Sequence, residues 1–584
     1  VLGLRSPSST LYFSAALAVL PLWGCGADPV SPTDAGTPSD AGQTTALTIT
    51  VGSVFPAGTA VRDAYSGQAA TVDAAGKVSL EPGPAGVVLL ERADATPTPF
   101  TWRNATVYFA MTDRFYNGDP TNDGSYGRTK DGESEVGTWH GGDLRGLTAK
   151  LDHLSALGVN AVWITSPVEQ VHGWVGGGSG DFKHYGYHGY WALDFTRLDA
   201  NLGTPDDMRA FVRAAHQRGI RVVLDVVMNH PGYATGDDLL AYLPQVIDPA
   251  FRTFTKPAGG SWHDWNQLVD YDSMAWLDWW GSAWIRAGFP GHNRAGMTDL
   301  NMALAFLPDF ITEDFRPTTR PPFFARKPDT AVVDLPNSTV RNYLVSWHAQ
   351  WVREYGIDGF RCDTAKHVEF ASWKALSDAS SAALREWKAA NPSEVLDDQD
   401  FWMTGEVFPH GVVKDEYFQN GFDSIINFDF QKTVSSVLDD HAALDAMYSM
   451  YASTINPDPA FNVLSYASSH DTSLYFGTTG GDLAKQAQLG TVMLMLPGGV
   501  QIYYGDETAR PVGPNASDEK QGTRSDMNWD HDNAALLAHW QKLGTFRQKH
   551  AAVGAGAHAK LEASRGYAFA RTTADDAVVV ALVR

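Results

Sequence analysis

Residues 356–367 read GIDGFRCDTAKH. The first half is a short apolar run of strand type. It ends in Arg361, Asp363, Lys366 and His367, a density of charge that a buried strand avoids unless its end opens on a site. The same pattern recurs along the chain. RVVLDVVMNH (221–230) ends in Asp225, Asn229 and His230, FWMTGEV (401–407) in Glu406, and NVLSYASSHD (462–471) in His470 and Asp471. TVYFAMTDRF (106–115), NAVWITSP (160–167), SIINFDF (424–430) and VQIYYGDE (500–507) are further strand candidates. Helical stretches separate them. In TPDDMRAFVRAAHQRG (204–219), Thr204 is placed to cap the helix, Asp207 sits three residues on, and Gly219 stops it. Strands alternating with helices predict an α/β fold, a closed (β/α)8 barrel with its chemistry at the carboxyl ends of the strands.

Working outward, about 125 residues separate the third and fourth strand candidates, too many for one connection. The reading is an inserted domain over 231–325, with NSTVRNYLVSWHAQWVREYG (337–356) as the returning helix. The barrel then occupies 101–230 and 326–530. Ahead of it, residues 46–100 hold the alternating runs ALTITV, KVSLEP and VVLLERA between Gly- and Pro-rich turns, a small N-terminal β-domain. Behind it, residues 531–584 read as a helix around ALLAHWQKLGTFRQKH and a C-terminal antiparallel β-domain. Residues 26–45 are a polar, aperiodic tether. In residues 1–25, Arg5 precedes an apolar run from Leu11 to Leu22, with Cys25 just beyond. That run is too short for a membrane span and suits a signal or lipoprotein leader. The expected location is therefore outside the cytoplasm: secreted, periplasmic, or anchored to the outer membrane through a lipid on Cys25. No other stretch reads as transmembrane.

Composition narrows the partners. With 44 Lys plus Arg against 67 Asp plus Glu, the formal charge is −23, which repels nucleic acid and is indifferent to a neutral polysaccharide. The 19 Trp, 21 Tyr and 28 Phe supply faces for sugar rings as well as core. Cys25 and Cys362 are the two cysteines, so removal of the leader leaves no intrachain disulfide. The chain is expected to be a monomer acting on a polysaccharide or oligosaccharide.

The converging polar groups fit hydrolysis of a glycosidic bond, which needs one carboxylic acid on the departing oxygen and, in a retaining enzyme, a second carboxylate about 5–5.5 Å away. Asp363 is the candidate nucleophile, held ionised by Arg361 two residues earlier on the same strand face. Glu406 is the candidate acid/base, and Asp471 the group that steadies positive charge on the sugar. His230 and His470 suit sugar hydroxyls, and YHGYW (187–191) adds His188 and Tyr190, the latter as a stacking platform. Lys366 is placed to reach a sugar on the leaving side. Cys362, by strand alternation, points away from the catalytic face and reads as a small buried hydrophobe.

These residues resemble the α-amylase family of glycoside hydrolases. DVVMNH (225–230), GFRCDTAKH (359–367), GEVF (405–408) and SSHD (468–471) are similar to its four signature segments, and YHGYW and FLPD (306–309) to two more. DTAKHVEF, GFDSIINFDFQ and QIYYGDETARPVGP…GTRSDMNW most resemble the periplasmic members of Gram-negative bacteria. The resemblance implies the trio Asp363, Glu406 and Asp471, substrate contacts from His188, Tyr190, His230, Arg361, Lys366 and His470, and calcium as the metal. One structural site would take Asn229, Asp309 and the carbonyl of His367, with Asp264, Asp270 and Asp272 competing for a further place. A second calcium loop would take Asn117, Asp119, Asn122, Asp123 and Asp143. Retaining endo-hydrolysis of α-1,4-glucans leads. The alternatives are a maltooligosaccharide-forming amylase of restricted products, a cyclodextrin-acting enzyme and a glucanotransferase. An α-1,6 or sucrose specificity and a non-catalytic glucan-binding protein stand further off.

Overall fold

The structure is a computed structural model that describes residues 46–129, 136–177, 181–513 and 522–583. The leader, the tether and Cys25 lie outside the described residues.

All eight expected strands form one closed parallel barrel. In chain order they are Thr106–Ala110, Ala161–Ile164, Arg221–Val226, Gly359–Cys362, Trp402–Gly405, Ser424–Asn427, Val463–Tyr466 and Gly499–Tyr503, and the eighth pairs with the first. Every residue of these strands is buried, because helices cover the outside and side chains fill the inside. Phe109 and Trp163 fill part of the interior as stacked rings with centroids 3.8 Å apart. The helix Pro205–His216 carries the expected capping box from Thr204 and Asp207, and Gly219 turns the chain with φ +73°. Cys362 is fully buried. Among the described residues no helix is long and apolar enough to cross a membrane.

Between the third strand and the returning helix Val340–Tyr355 lies the insert. It contains the helix Gly236–Tyr242, a series of single-turn 3-10 helices, and a two-stranded ribbon pairing Ile285–Arg286 with Asp309–Phe310. Its core is tryptophan: Trp276, Trp279, Trp280 and Trp284 are all buried. Trp284 stacks on Trp347 of the returning helix at 5.5 Å, which fixes the ribbon to the barrel's outer layer.

Strands from both ends of the chain meet in one six-stranded antiparallel sheet, in the order Ala557–Leu561, Tyr567–Thr572, Ala577–Leu582, Val87–Arg92, Ala60–Asp63, Ala69–Thr71. Leu47–Thr50 and Lys77–Leu80 form a separate ribbon that packs with it in a second apolar core. The expected N-terminal and C-terminal β-elements are thus hydrogen-bonded to each other. The joint is charged as well as apolar: buried Glu91 accepts from Lys549 Nζ at 2.7 Å and from Arg62 at 2.5 Å, and lies 2.6 Å from His550 Nε2. Burial alone would raise the Glu91 pKa, but the bonds from Lys549, His550 and Arg62 outweigh it and the pKa is lowered. A depressed carboxyl stabilises the fold above its unfolded pKa, about 4.3, and loses that effect as pH falls through the folded value. Glu91→Ala leaves Lys549, Arg62 and His550 around a hole and is expected to cost about 3–5 kcal/mol at pH 7. Denaturant melts should show this gap narrowing only in strongly acidic buffer.

Candidate functional site

The site is built around one guanidinium. Arg361, third in the fourth strand, lies opposite Asp225 of the third strand and Thr404 of the fifth. Arg361 Nη1 donates to Asp225 Oδ1 at 2.9 Å and to Asp363 Oδ1 at 2.7 Å, and Nη2 donates to Glu406 Oε2 at 2.8 Å. Asp225 is fully buried and also accepts from Trp163 Nε1 at 3.1 Å and Tyr190 Oη at 2.8 Å. One cation therefore orients three carboxylates.

Backbone geometry sets the two reacting carboxyls side by side. Asp363 N donates to Val226 O, and Glu406 N donates to Cys362 O, so the third, fourth and fifth strands stay in register one residue past their ends. Thr364 then turns with φ +47°, a left-handed conformation that costs a β-branched residue energy and is retained where function over-determines it. The turn aims Thr364 N at Glu406 Oε2, 3.1 Å away, and Ala365 N at Glu406 O. Asp363 and Glu406 are within hydrogen-bond reach of each other. Two carboxyls on one guanidinium suit the close pair of a retaining enzyme, not the gap of roughly 6.5–9.5 Å that an inverting pair leaves for water.

Electrostatics separates the carboxyls. Burial pushes Glu406 up to about 7; Asp363 and Asp471 add to the rise and Arg361 opposes it. Burial also raises Asp363, to about 6, with Arg361 opposing and Asp225 and Asp471 reinforcing. The pair titrates as a unit, with both carboxyls raised by burial.

The facing wall is aromatic and imidazole. Tyr190 Oη lies 2.8 Å from His470 Nε2, and its ring stacks between His188, at 5.4 Å, and His470, at 5.5 Å. Asp471 is held by His470 Nε2 and by Arg524 Nη2, each at 2.9 Å. Burial lowers the pKa of His188 and His470 and takes His230 down to about 4, so all three are neutral imidazoles that can donate and accept. The sequence reading therefore placed Asp363, Glu406, Asp471, Arg361, His188, Tyr190 and His470 where the structure brings them together. His230 is buried at the end of the third strand, 3.1 Å from Asn229 Nδ2. Lys366 stands at the rim, and its amino group pairs with Asp299 of the insert at 3.2 Å. Asp225 was read only as a polar residue at the end of the third strand, without a role. Two participants were missed: Trp163, signalled by nothing beyond hydrophobicity, and Arg524, signalled by its place in GTRSDMNW.

At both expected calcium sites one carboxylate already has an arginine partner, Asp119 with Arg145 at 2.7 Å in the loop, and the sites differ in the other donors around it. In the loop, Asn117 Nδ2 donates to both oxygens of Asp123 at 3.0 Å, while Asp143 accepts from Gly118 N at 3.2 Å, Asp119 N at 2.7 Å and Asn122 Nδ2 at 3.3 Å. The amide oxygens of Asn117 and Asn122 are buried and accept from no donor. A Cβ on Gly141, φ +96°, would stand 2.4 Å from Asn117 Nδ2 and Asp123 Oδ1, so glycine is what lets this chain close over the loop. Orphaned amide oxygens beside carboxylates are the hard donor set that calcium takes. At the other site Asp309 is buried but ion-paired with Arg286 at 2.6 Å. Asp264 caps its own 3-10 helix, and Asp270 accepts from Asp272 N within one turn. Among the described residues, no cluster of three or more His, Cys, Asp or Glu has metal-holding geometry.

Comparison with known proteins gives concordant results. The family described as the α-amylase catalytic domain matches residues 109–238 and 322–540, breaking across most of the insert. The periplasmic α-amylase of Escherichia coli (strain K12) is 50% identical over 553 residues, covering 91% of this chain and 80% of that protein. A cyclomaltodextrinase of a Bacillus species is 29% identical over 505 residues, 83% of this chain and 73% of that protein. Among solved structures, an Anoxybacillus α-amylase shares the fold with a TM-score of 0.56 at 24% identity, covering 82% of this chain and 87% of that one.

Proposed function

The chain belongs to the α-amylase family of glycoside hydrolases, and from that premise we propose that it cleaves α-1,4 bonds within starch-type glucans by a retaining double displacement. The observation that carries this reading is the Asp363–Glu406 pair, both clamped by the one guanidinium of Arg361. Glu406, protonated near neutrality, gives its proton to the departing glycosidic oxygen. Asp363 attacks the anomeric carbon from the opposite face and forms a glycosyl ester. Glu406, now ionised, takes a proton from water, which breaks the ester and restores both groups. Asp471, anchored by Arg524 and His470, faces the positive charge that develops on the ring. The neutral imidazoles of His188, His230 and His470 suit sugar hydroxyls, since a charged ring would accept no hydrogen bond. Tyr190 offers an aromatic face. Lys366 reaches a leaving-side sugar only by leaving Asp299.

Calcium, when bound, supplies charge that cross-links a loop. Asn117, Asp119, Asn122, Asp123 and Asp143 are the residues that would hold it. Similarity to a periplasmic enzyme supports export, in keeping with the leader-like first 25 residues.

A time course on amylose tests the substrate class. A broad early ladder of shortening oligosaccharides is expected, whereas one dominant short product from the first time point favours the restricted-product alternative. Asp363→Asn should abolish turnover with unchanged melting, and substantial residual activity would remove Asp363 from its role. Glu406→Gln is expected to lower kcat on amylose by roughly 10²–10⁴-fold. With α-maltosyl fluoride, whose leaving group needs no proton, the same variant should accumulate an adduct on the Asp363 peptide, visible by mass spectrometry. For the native enzyme, kcat/KM should fall below about pH 6, where Asp363 gains a proton, and above about pH 7, where Glu406 loses one. A flat profile from pH 5 to 9 would contradict the pairing.

A further inference from the structure

We propose that Arg286 is a built-in cation that takes the place of the divalent ion between the insert and the barrel, so that this chain binds calcium in its 117–123 loop and not at Asn229 and Asp309. The inference rests on the calcium reading only for the loop; the role of Arg286 stands on its own geometry.

Arg286 lies directly opposite Asp309 in the two-stranded ribbon. Its Nη1 donates to Asp309 Oδ2 at 2.6 Å, and its Nη2 pairs with Glu313. The guanidinium is 12% exposed and Asp309 2%, so the pair is shielded from competing water. The connection continues into the barrel on both sides. Phe310 N donates to Asn229 O at 2.8 Å, at the end of the third strand. Thr312 Oγ1 donates at 2.6 Å to Glu369, the residue that starts the barrel helix Phe370–Ala390. Asp309 thus sits at the seam where an ion would be expected, and a planar, permanently charged fork already neutralises it.

A divalent ion beside Asp309 would face that fixed positive charge at close range. The acidic side chains that could add ligands are used in local turns, Asp264 as a cap and Asp270 under Asp272 N. Asn229 Oδ1 and Glu313 Oε2 are buried acceptors at the seam without a donor; rotating the Asn229 amide places its oxygen against His230 Nδ1, now 3.1 Å from Asn229 Nδ2, and Glu313 is already paired with Arg286 through its other oxygen. Arg286 and Asp309 also both fall in the stretch, 239–321, where the family match breaks.

The test counts metal and measures melting on the full chain after dialysis against calcium. The wild type should hold one calcium per chain by elemental analysis, and Asp119→Asn/Asp123→Asn should hold none. Arg286→Met should melt several degrees lower without calcium, gain one further calcium, and recover part of its melting temperature as calcium is added. Two calcium ions in the wild type, or one retained by the loop variant, would overturn the proposal. So would an Arg286→Met protein that melts like the wild type and binds no extra ion. If the wild type holds no calcium, the role of Arg286 stands and the loop reading fails. If Arg286→Met does not fold, the comparison of the wild type with the loop variant decides alone.

Discussion

One guanidinium in contact with three carboxylates, all withdrawn from water, is the constraint around which the rest of the molecule is organised. Arg361 carries a single charge against Asp225, Asp363 and Glu406. Such a cluster cannot be fully ionised at low cost in a buried site, and the residual strain is what keeps a proton on Glu406 near neutrality. The cluster must also be held rigidly, since a carboxylate that rotates toward solvent would relax. The barrel provides that rigidity: the third, fourth and fifth strands hold register to their last residue, and the strained turn at Thr364 is fixed by hydrogen bonds to Glu406. Stability and reactivity are coupled through the same side chain.

The fold was legible because a parallel barrel leaves a strong periodic mark. Most strand positions are apolar and polar residues gather where they can face the mouth, so the eight runs and the polar cluster could be read together. RVVLDVVMNH and GFRCDTAKH show both features within ten residues. The insert was legible only as a length. Its single-turn helices have no period long enough to detect, and its core relies on tryptophans whose spacing follows no helix or strand.

Within the site, the sequence singled out side chains by their own chemistry, and most of the pairings that hold them became visible only in the fold. Asp363 and Glu406 stand out because a carboxyl at a strand end has few other uses. Asp225 is an acid inside a strand, and only the position of Arg361 on the neighbouring strand gives it meaning. Arg286 is an arginine in an irregular segment until the ribbon places it across from Asp309. Pairings between distant residues carry no local signature, which is why the identity of the cation at the insert was beyond reach of the sequence.

The six-stranded sheet has a consequence for how the chain reaches its native state. Val87–Arg92 is an inner strand whose neighbour, Ala577–Leu582, lies at the opposite end of the described chain. In vectorial emergence, that strand presents an unpaired edge until nearly all of the barrel has followed it. Contacts of such large sequence separation make folding slow and late to close. A sheet that closes only when such distant strands meet is well matched to transport across a membrane in an unfolded form.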